Sequence, residues 1–117
     1  MLTWYVHLYV GEKVKKQVRR TMGRINRRKP TPGVYLLTLP HNRKNVMEIV
    51  STSVLLQETA HLRCPRVIGI ARGREEAYVL MQEILKDTYA DTGDFQVGAY
   101  LERMGSYQKG RPYRGKR

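Results

Sequence analysis

The sequence predicts an α+β fold: a four-stranded sheet with helices on one face, in the manner of a ferredoxin-like sandwich. A small mixed or doubly wound sheet is the next choice. Three observations lead there. Residues 66–101 read as strand, glycine turn, amphipathic helix, glycine stop and strand. Residues 2–10, LTWYVHLYV, are rich in the aromatic and β-branched side chains that suit a pleated strand. Between these stretches, apolar runs and helical spacings give the order strand, basic helix, strand, short helix, strand, helix, strand. A chain of 117 residues suits one domain with its own core. That domain is expected over residues 1–102, followed by a flexible basic tail at 103–117.

Alternation along the first strand puts Trp4, Val6, Leu8 and Val10 on one face and Thr3, Tyr5, His7 and Tyr9 on the other. Aromatic residues on both faces point to a central or well-covered strand. Gly11 ends it. Over residues 12–28, Val14, Val18, Met22 and Ile25 form a narrow helical stripe. Gly23 weakens that helix by roughly 1 kcal/mol relative to alanine, and Pro30, Pro32 and Gly33 stop it. Residues 34–39, VYLLTL, form the second strand, closed by Pro40. Residues 41–45 are a polar connection in which Asn42 or Asn45 suits a helix cap. Residues 46–56 fit either state: Val46, Met47, Ile49 and Val50 suit a short helix, whereas residues 51–56 suit extended chain. Residues 57–65 read as a loop.

Residues 67–71 are then a short apolar strand. After it, Ala77, Leu80, Met81, Ile84, Leu85 and Tyr89 recur at helical spacing on one face. Glu75, Glu76, Gln82, Glu83, Lys86 and Asp87 take the other face, with the first two in the opening turn, where acids favour the positive helix end. Gly93 suits a C-terminal cap. Residues 95–101 alternate as a second strand, expected to run parallel to the first through a right-handed crossover. Beyond Leu101 the apolar pattern fades, and Gly105, Gly110, Pro112 and Gly115 mark the tail as flexible.

Charge carries the functional signal. Lys and Arg number 22 against 10 acids, a net charge of +12 and a pI near 10.2. Such an excess fits a polyanionic partner: DNA, RNA or an acidic membrane surface. It is concentrated at two places. Residues 11–29 hold nine cations and one acid, and residues 103–117 hold six cations and no acid. The remainder has seven cations and nine acids, so a nearly neutral body carries two cationic segments. Cys64 is the single cysteine, which excludes an intrachain disulfide and fits a reducing cytoplasm. No secretory signal pattern opens the chain, and no apolar run approaches the ~20 residues of a membrane span. A cytoplasmic protein is expected.

In the first segment Lys13, Lys15, Lys16, Arg19, Arg20, Arg24, Arg27 and Arg28 surround the apolar stripe, and Lys29 follows. Solvated helix faces ordinarily mix signs, and this one does not. A cationic helix of this kind contacts phosphates along a nucleic-acid backbone. Its stripe lacks the Trp, Phe and Leu that insert into lipid, so no membrane role is expected. In the second segment Tyr107 and Tyr113 are interleaved with Lys109, Arg111, Arg114, Lys116 and Arg117. Cations there follow phosphates while tyrosines stack on unpaired bases.

Other candidates are weaker. Arg72 and Arg74 flank Gly73 before a helix N-terminus, a place where a phosphate can sit. The stretch matches neither G-x-G-x-x-G nor the Walker pattern, and Glu75 and Glu76 compete, so a structural turn is the better reading. His61 and Cys64 lie three apart without a second Cys/His pair to complete a metal site. His7 and His41 are linked to no nucleophile, and Glu83 and Asp87 share a helix face that suits solvent. No catalytic residue, metal or cofactor is assigned.

Two resemblances add to this reading. The stretch VIGIARGREEAYVLMQEILKDTYADTGDFQVGAYL resembles the end of small uncharacterised bacterial α/β proteins, with a hydrophobic strand, a helix and a TGDF-like turn. That similarity implies kinship without a function. Trp4-Tyr5-Val6 followed by Glu12-Lys13-Val14 looks like the opening of NusG-type transcription factors, over about the first 25 residues. That resemblance implies a ferredoxin-like N-terminal domain that binds RNA polymerase, and no polymerase-binding residue is carried over. The expectation is a non-catalytic nucleic-acid-binding protein, for DNA or RNA. The alternative is an interaction module, an adaptor or inhibitor, that docks an acidic protein partner such as the transcription machinery.

Overall fold

The computed structural model describes residues 2–43 and 45–110. Among these residues five strands form one mixed sheet: β1 (Thr3–Val10), β2 (Val34–Leu39), β3 (Glu48–Ser51), β4 (Arg66–Arg72) and β5 (Tyr107–Lys109). Their order across the sheet is β3-β2-β4-β1-β5. β1 and β4 pair in parallel, and all other neighbours pair antiparallel. The interior strand β4 buries Val67, Ile68, Ile70 and Ala71 completely. Such a continuous apolar run belongs to a strand covered on both faces.

Among the described residues four α-helices accompany the sheet: α1 (Val18–Asn26), α2 (Glu58–Leu62), α3 (Arg74–Thr92) and α4 (Val97–Met104). Strand alternation divides the core between them. Trp4, Leu8, Leu36, Val67 and Ile70 pack against Val18, Met22 and Ile25 of α1. Tyr5, Leu37, Leu39, Ile68 and Ala71 pack against Ala77, Leu80 and Ile84 of α3 and against Val97 and Leu101 of α4. Neighbours along one strand thus enter different clusters, so helices cover both faces of the sheet. The α+β class stands. The four-stranded, one-faced, ferredoxin-like arrangement expected from sequence is not the one observed. The sign of a two-sided sheet was already present in β1, where Trp4 and Tyr5 point opposite ways and both are buried.

Four local expectations are corrected. Residues 95–101 do not form a strand: Val97 and Leu101, which fit alternation, are also four apart, and they face the core from α4 while Phe95 stays exposed. The parallel neighbour of β4 is therefore β1, not a strand beyond α3. Residues 57–65 contain α2, which seats the buried His61. Residues 46–56 resolve into β3 followed by a 3₁₀ turn at Thr52–Leu56. The basic helix begins late, because Lys15–Gln17 form a 3₁₀ turn before α1.

The tail boundary also moves. Arg103 and Met104 complete α4, and residues 107–109 add β5 to the edge of β1. A strand of three residues has no legible period of its own, so its existence depends on the partner edge. Other sequence features are found as expected. The helix over the acidic stretch runs from Arg74 to Thr92 and stops at Gly93, whose left-handed φ of 76° lets its N–H reach Tyr89 O at 2.8 Å.

Candidate nucleic-acid interface

Asn26, the last residue of α1, connects the two cationic segments. Its Oδ1 accepts from Leu2 N at 3.0 Å and from the Trp4 indole Nε1 at 3.1 Å. Its Nδ2 donates to Gly110 O at 3.0 Å, and Gly110 N–H donates to Leu2 O at 3.2 Å. The end of the basic helix is thereby held against the point where the chain enters its last seven residues. Arg27, Arg28, Lys29 and Lys109, all exposed, lie on either side of this junction in sequence. Arg111, Tyr113, Arg114, Lys116 and Arg117 fall outside the described residues.

The cations before and along α1 do not share one environment. Lys13 and Lys15 line a cleft with Glu12, Glu75, Glu76 and Glu83, where acids of α3 offset their charge. Glu76 bridges two backbone donors beside that cleft. Its Oε2 accepts from Lys13 N at 2.9 Å and its Oε1 from Arg72 N at 2.8 Å. Gly11 makes room for it: a Cβ there would lie 2.1 Å from Glu76 Oε1. The carboxylate thus occupies backbone donors beside the N-terminus of α3, where the sequence had offered a phosphate position near Arg72 and Arg74. Arg74 instead lies over the ring of Tyr35, at 5.4 Å from its centroid. The turn is structural, as read from the sequence.

Farther along, the surroundings change sign. Arg20 and Arg24, one helical turn apart, line a polar groove of about 310 Å³ with Arg72 from the end of β4. Lys16, Arg19, Arg27 and Lys29 are exposed, and Arg28 approaches Glu58 at 3.9 Å in a solvated pair. Such an exposed pair contributes little to stability. Arg28 has a left-handed backbone, φ 58°, and it lies where the helix C-terminus closes through Lys29 N to Arg24 O at 2.8 Å.

Tyr107 is not part of a free tail. Its ring packs 5.2 Å from that of Tyr5, and the Arg66 guanidinium lies 4.7 Å from its centroid. Arg66 also pairs with Glu102 at 3.5 Å. Burial raises the Tyr107 phenol above its usual range. Its role in the described fold is packing.

His61 and Cys64 serve the core beneath α1. His61 Nε2 donates to Ile25 O at 3.0 Å, and burial pushes the Cys64 thiol up to about 11. Among the described residues no group of His, Cys, Asp and Glu is arranged to hold a metal ion, and no helix is long and apolar enough to cross a membrane.

The sequence reading missed two things. The Asn26 junction joins residues remote in sequence, and no local pattern marks it. The sequence marks Arg72 only for the α3 N-terminus, which its backbone N–H serves through Glu76, whereas it also lines a groove with Arg20 and Arg24. No family model, no curated protein and no solved structure matches this chain.

Proposed function

We propose that this is a non-catalytic nucleic-acid-binding protein of the cytoplasm, which contacts backbone phosphates through the cations of α1 and the C-terminal segment. The observation that carries this reading is the Asn26–Gly110 hydrogen bond at 3.0 Å. Two cationic segments that are separate in sequence meet there, so their charges act on one ligand. Helix α3 packs its apolar stripe on the opposite face of the sheet, and its Glu75, Glu76 and Glu83 reach only the cleft beside Lys13 and Lys15, which leaves the rest of the α1 side as the surface for a polyanion. Arg20, Arg24, Arg27, Arg28, Lys29 and Lys109 form the described part of that surface, with Lys16 and Arg19 beside it. In sequence, residues 111–117 follow with four further cations and Tyr113. Binding is mainly electrostatic and weakly dependent on base sequence.

Fluorescence anisotropy with labelled single- and double-stranded DNA and RNA tests this. With six or more phosphates neutralised, affinity falls about a thousandfold between roughly 50 and 200 mM salt. Binding that ignores salt, or no binding to any of the four, would sink the proposal.

A second reading is a protein-interaction module. It is favoured by an exposed apolar cleft of about 520 Å³ lined by Leu85, Tyr89, Ala90 and Phe95. The rings of Tyr89 and Phe95 stack there at 5.2 Å with more than half of each residue exposed. The resemblance of the opening residues to NusG-type factors would direct such a module to the transcription machinery. Purification from the native host with and without nuclease separates the readings. A stoichiometric protein companion that survives nuclease supports the second, and co-purifying nucleic acid supports the first.

A further inference from the structure

The groove beside α1 has a construction that the general charge of the helix does not require. Its lining comes from Gln17, Arg20, Thr21 and Arg24, from residues 30–32 with Val34, and from Arg72. Three arginines line it and no acidic residue does. Two of them are held in place by neutral acceptors. Arg24 donates to Pro30 O through Nε at 3.1 Å and Nη2 at 2.9 Å, and Arg72 Nη1 donates to Pro32 O at 3.4 Å. A carbonyl orients a guanidinium without cancelling its charge, so both remain cations with N–H groups to spare. Arg20 has no partner among the described residues.

The loop that supplies those carbonyls is itself fixed. Thr52 Oγ1 donates to Thr31 O at 3.1 Å, and the hydroxyls of Thr31 and Thr52 lie 2.7 Å apart. Gly73 N–H donates to Gly33 O at 2.7 Å, across a turn that needs the left-handed φ of 78° at Gly33. Two prolines limit the rest of the loop. Arg24 and Arg72 are therefore ordered before any ligand arrives, which lowers the entropic cost of binding.

We infer that this groove is a phosphate seat, in which Arg20, Arg24 and Arg72 clasp one phosphate group with help from Gln17 and Thr21. Planar guanidiniums match phosphate oxygens in forked pairs. The lining holds no aromatic ring on which a base would stack, so the seat takes the phosphate and not the base. On the nucleic-acid reading proposed above, on which this identity of the ligand rests, the group is a backbone phosphate. The seat then sets where a strand lies along α1 without reading its sequence. Inorganic phosphate presents the same chemistry and serves as the small probe.

Titration of isotopically labelled protein with inorganic phosphate, followed by amide shifts in NMR spectra, locates the seat. Gln17, Thr21, Thr31, Val34 and Arg72 amides are expected to move together. Arg72→Gln and Arg20→Gln are each expected to weaken that binding about tenfold, as loss of a charge-assisted pair does. Lys86→Gln, on the exposed face of α3, leaves it unchanged. Arg20 is exposed and unpartnered in the described chain, so its variant tests the seat even where Arg72→Gln disturbs folding. In anisotropy with a short oligonucleotide, Arg72→Gln lowers the salt slope by about one. Absent shifts, shifts scattered over the lysines, or indifference to both arginine variants would overturn the seat. If an oligonucleotide still binds salt-dependently in that case, the nucleic-acid reading survives alone. Phosphate in the groove with no oligonucleotide binding leaves the seat standing and removes the nucleic-acid reading instead.

Discussion

The side-chain amide of Asn26 donates to the carbonyl of Gly110 at 3.0 Å, while its oxygen receives the indole N–H of the fully buried Trp4. One side chain thus closes the end of α1, the start of β1 and the exit of β5. Asn26→Ala strands the Trp4 indole N–H and the Leu2 N–H away from any acceptor. A loss of about 2–4 kcal/mol is expected, since a buried donor left unpaired forfeits its full desolvation cost. Urea unfolding followed by the single tryptophan checks it. A loss under about 0.5 kcal/mol would show that the junction is not structural.

Glu76 and Gly11 form a second dependent pair. In Gly11→Ala the new methyl displaces the Glu76 carboxylate, which gives up the Lys13 and Arg72 backbone donors. The expected cost is about 1–3 kcal/mol. In a Glu76→Ala background the same glycine substitution becomes nearly neutral, because the group it displaces is gone. A double-mutant cycle measures this coupling directly, and simple additivity would disprove it.

Arg28 has an αL backbone that favours glycine. Arg28→Gly should raise stability by about 0.5–1 kcal/mol, since its ion pair with Glu58 is solvated and weak. The same variant should bind nucleic acid less tightly, having lost a cation beside the junction. Thermal unfolding and anisotropy on one preparation separate the two effects. Lower stability with unchanged affinity contradicts both halves.

Alkaline pH should destabilise the fold. Tyr5 donates to Leu101 O in the core, and burial lifts its phenol well above the usual 10.0. Burial and the hydrogen bond to Asp87 raise Tyr9 likewise, and burial takes Cys64 from 9.0 to about 11. All three hold their protons more tightly when folded. Their stabilising contribution is therefore complete below the unfolded values and declines as pH climbs past about 9, when the unfolded chain ionises first. Urea midpoints from pH 8 to pH 11 should fall, and Tyr5→Phe should flatten the fall. Cys64 should also resist thiol reagents near neutral pH, where it is protonated and largely buried. A flat stability profile across that range counts against this assignment.

Local pattern was enough wherever one element carries its own period. The stripe of Ala77, Leu80 and Ile84, the acids of its first turn and Gly93 mark α3 without reference to anything else. The apolar runs of β1, β2 and β4 are as plain. Short windows were not enough. Val97 and Leu101 fit a strand and a helix equally well, and the core decides between them. β5 is too short to have a pattern, and it exists because β1 offers an unpaired edge.

By itself the sequence determined the α+β class, the long helix, and the concentration of positive charge into two segments. These follow from residue type and spacing, which act over a few positions. Only the tertiary structure decided that helices cover both faces of the sheet, that β1 and β4 run parallel, and that Glu76 neutralises the turn before α3. It also decided that Asn26 joins the two cationic segments and that Arg72 lines one groove with Arg20 and Arg24. Those are contacts between residues distant in sequence, chosen by which apolar faces must be covered together, and no spacing along the chain encodes them.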